Sequence, residues 1–389
     1  MSKIVFFSIP AYGHTNPTIE VINELTKRGH KVKYYSFDIF KEKIENAGAE
    51  YISCDSFLPS INPNETNRIG KDFSMLLEMI LDVTFKMNDK VYAELNKFKP
   101  DCIVSDSMSL WGKLFALNLN IPFICSTTTF AFNEYSSRSI KHGFKEFFYI
   151  IKGMPKVNKK LKRLRDIGYN IPSIIDIVKN DNNTNTIVFT SSKFQPMSET
   201  FSNKYHFVGP SIADVTISQK PKTNNLIYIS LGTVNNKNNK FYYNCIEAFK
   251  DYNAEIIMSI GENTNISQFN NAPSNFTIMN HAPQIEILQK ADIFITHSGM
   301  NSVNESLYYC VPMIFFPQQS EQFMVANRAV ELGTGILLKK NNPSEIRNIV
   351  TKILSDPSYK KNAEIISKSF REAGGSKKAA DIIEHICTK

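Results

Sequence analysis

A cycle of apolar strand, polar turn and helix occurs twice along the chain and constrains the fold more than any other feature. The first cycle opens with Lys3 to Ile9, a continuous apolar run typical of a strand buried on both faces. The run Pro10 to His14 breaks this strand. Asn16 then supplies a helix cap and Pro17 a first helical residue, and Gly29 ends the helix. Strands alternating with helices predict a parallel, doubly wound sheet.

Further apolar runs extend both cycles. In the first half, strands are predicted at Lys31 to Ser36, Ala49 to Cys54, Cys102 to Ser105 and Pro122 to Cys125. In the second half, they are predicted at Leu226 to Ser230, Ala254 to Ser259, Phe276 to Met279, Ile293 to Thr296 and Met313 to Phe316. The chain of 389 residues is long enough for two domains of about 200 residues each. We therefore predict an α/β protein with two Rossmann-like doubly wound domains facing a cleft.

The predicted boundary between the domains is a stretch without periodicity, rich in Pro, Lys and Asn, between Gly209 and Asn225. We expect an N-terminal domain at 1–210, a linker at 211–225, a C-terminal domain at 226–373 and a final helix at 374–389. Two less regular insertions, at 55–96 and 130–175, are rich in Phe, Met, Leu and Ile. They fit either helices that cover the sheet or the lining of a pocket for an apolar ligand.

The charge balance suits an anionic ligand but does not select one. The net charge of +8 fits a nucleotide diphosphate, and it also fits nucleic acid or an anionic membrane. The last two usually need the charge in one patch, whereas the lysines here are spread along the chain. A basic run at 155–165 fits a solvated helix face, with membrane contact as the alternative.

The six cysteines form no C-x-x-C or zinc pattern. Several lie inside apolar runs, so we expect reduced core residues and a cytoplasmic protein. The first ten residues lack the long apolar segment of a signal peptide, and no stretch approaches the roughly 18 apolar residues that a membrane helix needs.

The expected reaction centre is the point where strand order reverses, between the first and fourth strands of each sheet. In the first domain, His14 follows the first strand and Asp106 follows the fourth. A helix start keeps the imidazole of His14 neutral, so it can accept a proton. A carboxylate on its other nitrogen would fix the tautomer and stabilise the charge that forms. We predict that His14 and Asp106 are the catalytic pair.

The same point in the second domain is predicted to bind phosphate and sugar. Gly299 lets the backbone approach a ligand, and Asn301 and Ser302 lie at a helix start that favours an anion. His297 can donate a hydrogen bond to a phosphate oxygen. The other candidates are Ser230, Gly232, Thr233 and Ser298 for the phosphates, Glu305 for a ribose, and Glu321 and Gln322 for sugar hydroxyls. The chain has no D-x-D triplet, so we expect neither a metal nor a cofactor besides the donor substrate.

The segment from His281 to Gln322 resembles the donor-binding signature of the family-one nucleotide-sugar glycosyltransferases, which have the two-domain GT-B fold. The opening FFSIPAYGHTNPTIEVINELTKRGHKV and the segment PDCIVSDSMSLWGKLFALNLNIPF also resemble segments of that family. The similarity extends over nearly the whole chain. It is strongest to bacterial macrolide and flavonoid glucosyltransferases.

The resemblance implies a role for each matching residue. It makes His14 the base, Asp106 its partner, His297 the diphosphate ligand and Glu305 the ribose ligand. It also assigns Pro283 and Gln284 to the turn that binds the nucleotide base. The backbone contact with the diphosphate is assigned to Gly299, Asn301 and Ser302, and the loop facing the diphosphate to Ser230, Gly232 and Thr233. The sugar is assigned to Glu321 and Gln322. His281 departs from the family, which usually has a stacking aromatic residue there. In similar proteins the final helix crosses back onto the first domain.

The predicted reaction is the inverting, metal-independent transfer of a hexose, glucose, from a UDP-sugar to a hydroxyl of a small apolar acceptor such as a flavonoid or macrolide. Three alternatives stay open at this point: a lipid glycosyltransferase at the membrane surface, a nucleotide-sugar epimerase, and a non-catalytic nucleotide-binding module. The expected partners are the donor and the acceptor, without nucleic acid or membrane contact. The chain is expected to be a monomer or a homodimer.

Overall fold

The computed structural model describes residues 1–58, 73–137, 144–169, 171, 183–213, 224–233 and 236–388. These residues form two compact units. The first unit comprises Met1–Phe189, Gln195–Ser211 and Gly374–Lys389, and the second comprises Thr190–Phe194 and Ile212–Ala373. Residues 190–194, expected in the N-terminal domain, therefore lie in the second unit. Most of the expected linker, 214–223, is outside the described residues.

Each unit is built on one parallel sheet. The strands of the first unit are β1 (Lys3–Phe7), β2 (Lys31–Ser36), β3 (Glu50–Ser53), β4 (Cys102–Asp106), β5 (Phe123–Thr127), β6 (Asn185–Val188) and β7 (Tyr205–Phe207). Those of the second are β8 (Asn225–Ser230), β9 (Ala254–Ser259), β10 (Phe276–Met279), β11 (Ile293–Thr296), β12 (Met313–Phe315) and β13 (Gly335–Leu337). In the described part, the strand orders are β3-β2-β1-β4-β5-β6-β7 and β10-β9-β8-β11-β12-β13.

The predicted order reversal is confirmed in both sheets. β1 pairs in parallel with β2 and β4, and β8 pairs in parallel with β9 and β11. The strands β6, β7 and β13 were not predicted, since they are short and their apolar runs are weak.

Helices connect the strands. They are α1 (Tyr12–Lys27), α2 (Lys41–Asn46), α3 (Phe73–Phe98), α4 (Leu110–Leu119), α5 (Glu134–Ser137), α6 (Phe144–Asp166), α7 (Asn239–Phe249), α8 (Gln284–Leu288), α9 (Met300–Tyr308), α10 (Ser320–Glu331), α11 (Pro343–Ser355), α12 (Ser358–Glu372) and α13 (Gly375–Cys387).

The start of α1 differs from the sequence prediction, which placed a cap at Asn16 and the first helical residue at Pro17. The helix begins at Tyr12, and Pro17 lies inside it. The carbonyl of Ala11 accepts hydrogen bonds from the backbone N–H groups of His14 and Thr15, at 3.0 and 3.1 Å, so the turn before Pro17 is already helical. His14 therefore lies in the first helical turn rather than in a loop before the helix.

The basic run at 155–165 forms the second half of α6. Val157, Leu161 and Leu164 are buried, and most of its cationic side chains face outward. Lys160 pairs with two carboxylates of α3, at 2.6 Å from Asp82 and 3.6 Å from Glu78. This arrangement fits a solvated helix face. Among the described residues, no helix has both the length and the apolar character needed to cross a membrane.

The final helix α13 packs on α1 within the first unit. The Arg28 guanidinium donates to Asp381 and Glu384, each at 2.7 Å. The prediction that all six cysteines are reduced is wrong for one pair, because α13 brings Cys387 to the start of β4. Cys387 and Cys102 form a disulfide there, with their Cα atoms 5.5 Å apart. Of the other cysteines, Cys54, Cys125 and Cys245 are buried and Cys310 is partly buried.

Candidate active site

His14 and Asp106 form a hydrogen-bonded pair at the carboxyl edge of the first sheet. His14 Nδ1 lies 2.8 Å from Asp106 Oδ2. The Asp106 side chain is 1% exposed and that of His14 is 21% exposed. The backbone N–H of Met108 donates to Asp106 Oδ1 at 2.8 Å, which fixes the carboxylate. Because the carboxylate accepts from Nδ1–H, the ring tautomer leaves its lone pair on Nε2. The pair can therefore take a proton at Nε2.

Thr128 adds a contact that the sequence analysis missed. It follows β5, and its Oγ1 lies 3.3 Å from His14 Nδ1. The carboxyl ends of β4 and β5 thus each place one polar side chain beside the same imidazole nitrogen of His14, which itself follows β1. The only available signal was the polar run after the fifth strand, Ser126 to Thr129.

A chain of buried hydroxyl groups fixes the first turns of α1 against the sheet. Ser8 Oγ lies 3.1 Å from both Thr15 Oγ1 and Ser36 Oγ, and Thr18 Oγ1 lies 2.9 Å from Tyr34 Oη. Burial raises the pKa of Tyr34 to about 12, so the phenol stays neutral. These contacts hold the helical turn that carries His14 in register with β1 and β2.

His297 lies against two glycines in the second unit. A Cβ atom on Gly232 would lie 2.5 Å from His297 Cε1, and one on Gly299 would lie 2.6 Å from His297 Nε2. Gly232 also has a φ of +77°, which favours glycine. The two predicted glycines therefore let the backbone touch the imidazole, which no larger residue would allow.

The environment of His297 keeps the ring neutral. Burial lowers its pKa from 6.5 to about 4, although a hydrogen bond with the Ser230 backbone raises the pKa in part. Within the described part of the chain, its Nδ1 is buried without a hydrogen-bond partner. A neutral imidazole keeps one N–H group, which can donate a hydrogen bond to a ligand oxygen.

Ser298 and the helix start beside it continue this site. Ser298 has a φ of +72°, which is unusual for a residue with a side chain. Its hydroxyl is fully buried and has no hydrogen-bond partner among the described residues. Gly299 is the N-cap of α9, and Asn301 and Ser302 lie in its first turn, as predicted from the sequence. Free N–H groups at this helix start favour an anion.

Asn236 supports the loop after β8 and was also missed in the sequence. Its Nδ2 donates to the Gly232 carbonyl at 2.9 Å, and the residue is 1% exposed. The Ser230 hydroxyl accepts from the Gly232 N–H at 3.2 Å. Both contacts hold Gly232 against His297. Thr233, the third predicted residue of this loop, is exposed.

Gln284, Ser302 and Glu305 form a second cluster in the same unit. Gln284 Nε2 donates to Glu305 Oε2 at 2.5 Å and to Ser302 Oγ at 3.3 Å. The phenol of Tyr228 donates to Gln284 Oε1 at 3.3 Å. The structure thus brings together Gln284, predicted to bind the nucleotide base, and Glu305, predicted to bind the ribose. Pro283 is the N-cap of α8, and the nearby His281 is exposed.

The predicted sugar pair lies at the start of α10. Glu321 is exposed, whereas Gln322 is buried. Gln322 Oε1 accepts from the backbone N–H of Gln318 at 2.8 Å. That contact orients the amide and leaves its N–H groups as the atoms for a ligand. Among the described residues, no group of three or more His, Cys, Asp or Glu side chains is placed to hold a metal ion.

Comparison with known proteins identifies the family to which the chain belongs. Residues 244–384 match the family described as erythromycin biosynthesis protein CIII-like, C-terminal domain. The chain is 32% identical to the uncharacterized UDP-glucosyltransferase YojK of Bacillus subtilis over 98% of its length and 97% of the relative. It is 36% identical to the NDP-glycosyltransferase YjiC of Bacillus licheniformis over 98% of its length and 96% of the relative.

A solved structure agrees with these sequence matches. The glycotransferase of kitacinnamycin superimposes with a TM-score of 0.85 and 25% identity, covering 99% of this chain and 98% of that one. The two parallel-sheet units are those of the GT-B fold. The chain therefore belongs to the family of nucleotide-sugar glycosyltransferases that includes these Bacillus proteins, and it is a glycosyltransferase.

Proposed function

We propose that the chain transfers glucose from UDP-glucose to a hydroxyl of a small apolar acceptor, such as a flavonoid or macrolide, with inversion and without a metal. The observation that carries the proposal is the 2.8 Å contact between His14 and the buried carboxylate of Asp106. A neutral imidazole oriented by a carboxylate is a general base, and a hydroxyl acceptor requires one.

In the proposed step, the acceptor hydroxyl gives its proton to His14 Nε2 while its oxygen bonds to the anomeric carbon. The bond from that carbon to the diphosphate oxygen breaks, and UDP leaves with the electron pair. Attack on the face opposite the leaving group inverts the anomeric carbon. Asp106 stabilises the imidazolium that forms, and positioning of both substrates supplies much of the remaining rate gain.

The donor is proposed to bind to the second unit. His297 would donate to a diphosphate oxygen as a neutral ring, and the start of α9 would stabilise the charge that develops on the leaving group. Gln284 and Glu305 would hold the base and the ribose, while Glu321 and Gln322 would hold the hexose. The printed name of the YojK relative, a UDP-glucosyltransferase, supports UDP and glucose as the donor components.

The acceptor proposal draws on exposed aromatic side chains of the first unit. Tyr12, two residues before His14, is 37% exposed, and Phe132 and Tyr135, which follow Thr128, are 38% and 46% exposed. Aromatic rings offer flat apolar surfaces on which a polycyclic acceptor can stack. One lysine of the basic run, Lys160, pairs with carboxylates of α3 and is therefore not available to a membrane surface. We also propose that the protein is cytoplasmic.

The test is to incubate the purified protein with UDP-glucose, EDTA and a panel of flavonoids and macrolides. Mass spectrometry should detect an added hexose, and NMR of the product should give the anomeric configuration opposite to that of the donor. A panel of lipid acceptors in vesicles serves as the comparison.

Three results would contradict parts of the proposal. Loss of transfer in EDTA, restored by a divalent cation, would contradict metal independence. Retention of the donor configuration would contradict direct displacement. Modification of lipids alone would contradict the acceptor class, although the donor assignment would stand.

A further inference from the structure

A cavity of about 590 Å³ in the first unit lies away from the candidate active site. It is bounded by the amino-terminal ends of three strands: Pro122 precedes β5, Asn185 begins β6 and Lys204 precedes β7. Asp106, in contrast, ends β4. Since the strands run parallel, their amino-terminal ends lie at the edge of the sheet opposite to the His14–Asp106 pair. We call this space the basic cavity.

One face of α13 forms the other wall of the basic cavity. The helix contributes residues at the spacing of a single helical face: Lys378, Asp381, Ile382, His385 and Ile386. Ile382 and Ile386 are 8% exposed and, together with Pro122, supply an apolar surface. The cavity therefore combines a charged part and an apolar part.

The charge in the basic cavity is mostly positive. Four basic side chains line it: Lys204, His206, Lys378 and His385. Its one carboxylate, Asp381, already accepts a hydrogen bond from Arg28 at 2.7 Å. Within the described residues, neither lysine ammonium has an ion-pair partner. The positive charge is therefore not balanced by the protein.

The pKa of His206 is affected by this excess of positive charge. Burial lowers its pKa below the usual value, and the charges of Lys378, Lys204 and His385 lower it further. An anion bound among these groups would act in the opposite direction.

We propose that the basic cavity binds a small organic phosphate. Its phosphate oxygens would accept hydrogen bonds from the Lys204 and Lys378 ammonium groups and from the two imidazoles, and its carbon skeleton would lie on Ile382 and Ile386. Phosphate is the anion that suits several converging cationic donors. The volume lies within the range of about 300–1,000 Å³ that is usual for small-molecule sites, which is more than a lone phosphate needs. The site is independent of the glycosyl-transfer proposal.

The experiment follows the imidazole signals of His206 and His385 by NMR in the full chain, assigned with His206→Gln and His385→Gln. Inorganic phosphate and phenyl phosphate are the probes. Both signals should shift saturably, and phenyl phosphate should bind more tightly because its ring adds apolar contact. Lys378→Ala should weaken binding about tenfold through loss of one charge-assisted hydrogen bond. Lys377→Ala, at the preceding residue of the same helix, removes the same charge outside the cavity and should change little.

Lys204→Ala tests the same claim from a different element, so a local effect on α13 cannot decide the result. Absence of a saturable shift at millimolar probe would overturn the proposal. Equal weakening by Lys377→Ala and Lys378→Ala would also overturn the proposal, because it would show general electrostatic attraction rather than a defined site. If phenyl phosphate binds no more tightly than inorganic phosphate, the claim that the ligand carries an organic group is overturned.

Discussion

The two units place a histidine at the same topological point and give it opposite chemistry. Each has its first strand between the second and the fourth, and in each a histidine follows one of the two strands at the reversal. His14 contacts a buried carboxylate at 2.8 Å, which suits a ring that gains a proton. His297 lies between glycines, with its pKa lowered to about 4, which suits a ring that stays neutral. The shared scaffold sets the position, and the immediate neighbours set the protonation state.

The largest expected effect follows substitution of His14, the proposed general base. His14→Ala should lower kcat for transfer to a hydroxyl acceptor about 10³-fold, because general base catalysis contributes roughly 10²–10⁴-fold. Added imidazole should restore part of the rate in initial-rate assays. A variant that keeps near-native kcat would contradict the assignment of the base to the first unit.

The partner carboxylate should have the next largest effect. Asp106→Asn keeps the side-chain shape but cannot stabilise an imidazolium, so we expect a loss in kcat on the order of 10²-fold. Asp101→Asn is the matched control, because Asp101 lies just before β4, at the end of the strand opposite to Asp106. Similar losses in both variants would point to a structural effect on the strand rather than to the pair.

The neutral state of His297 predicts a pH dependence of stability. As pH falls through 6.5, the unfolded chain binds a proton that the folded chain does not take up until about pH 4. Folding stability is therefore lost in this window, by at most about 3 kcal/mol from this residue. His297→Gln should lose less stability than the native chain when urea unfolding is compared at neutral pH and near pH 4. Equal losses would mean that the buried ring titrates normally.

Substitution of Thr128, which contacts the proposed base, should have a smaller effect. Thr128→Val removes the hydroxyl near His14 Nδ1 but keeps the contact with Asp106. We expect kcat to fall about fivefold, the value of one ordinary hydrogen bond, with an unchanged KM for UDP-glucose. Thr129→Val, whose hydroxyl contacts the Phe130 carbonyl instead, is the control. An altered KM with unchanged kcat would argue against a role in positioning His14.

The sequence predicted that His14 meets Asp106, and that the residues after β8 meet those after β11, because strand ends at an order reversal are forced together. Lys3 to Ile9 and Cys102 to Ser105 are strong apolar runs, so the residues after them could be placed in space without a structure. The local pattern around Gly299 likewise indicated a helix start. These inferences needed only strand positions and the parallel topology.

Contacts that depend on side-chain packing could not be predicted in this way. Thr128 and Asn236 sit in polar runs in which any of several neighbours could have faced the site. Pro17 suggested a helix start, although the chain turns helical five residues earlier. The Cys102–Cys387 disulfide depends on where α13 packs, since the two residues are 285 positions apart.

The most direct test of the division between the units is to measure UDP affinity by calorimetry for His14→Ala and His297→Gln, alongside their transfer rates. We predict that His14→Ala loses transfer but binds UDP as the native chain does. His297→Gln should bind UDP about tenfold more weakly, through loss of a hydrogen bond to a charged group. Weakened UDP binding by His14→Ala, or native UDP affinity in His297→Gln, would contradict the separation of base and donor site.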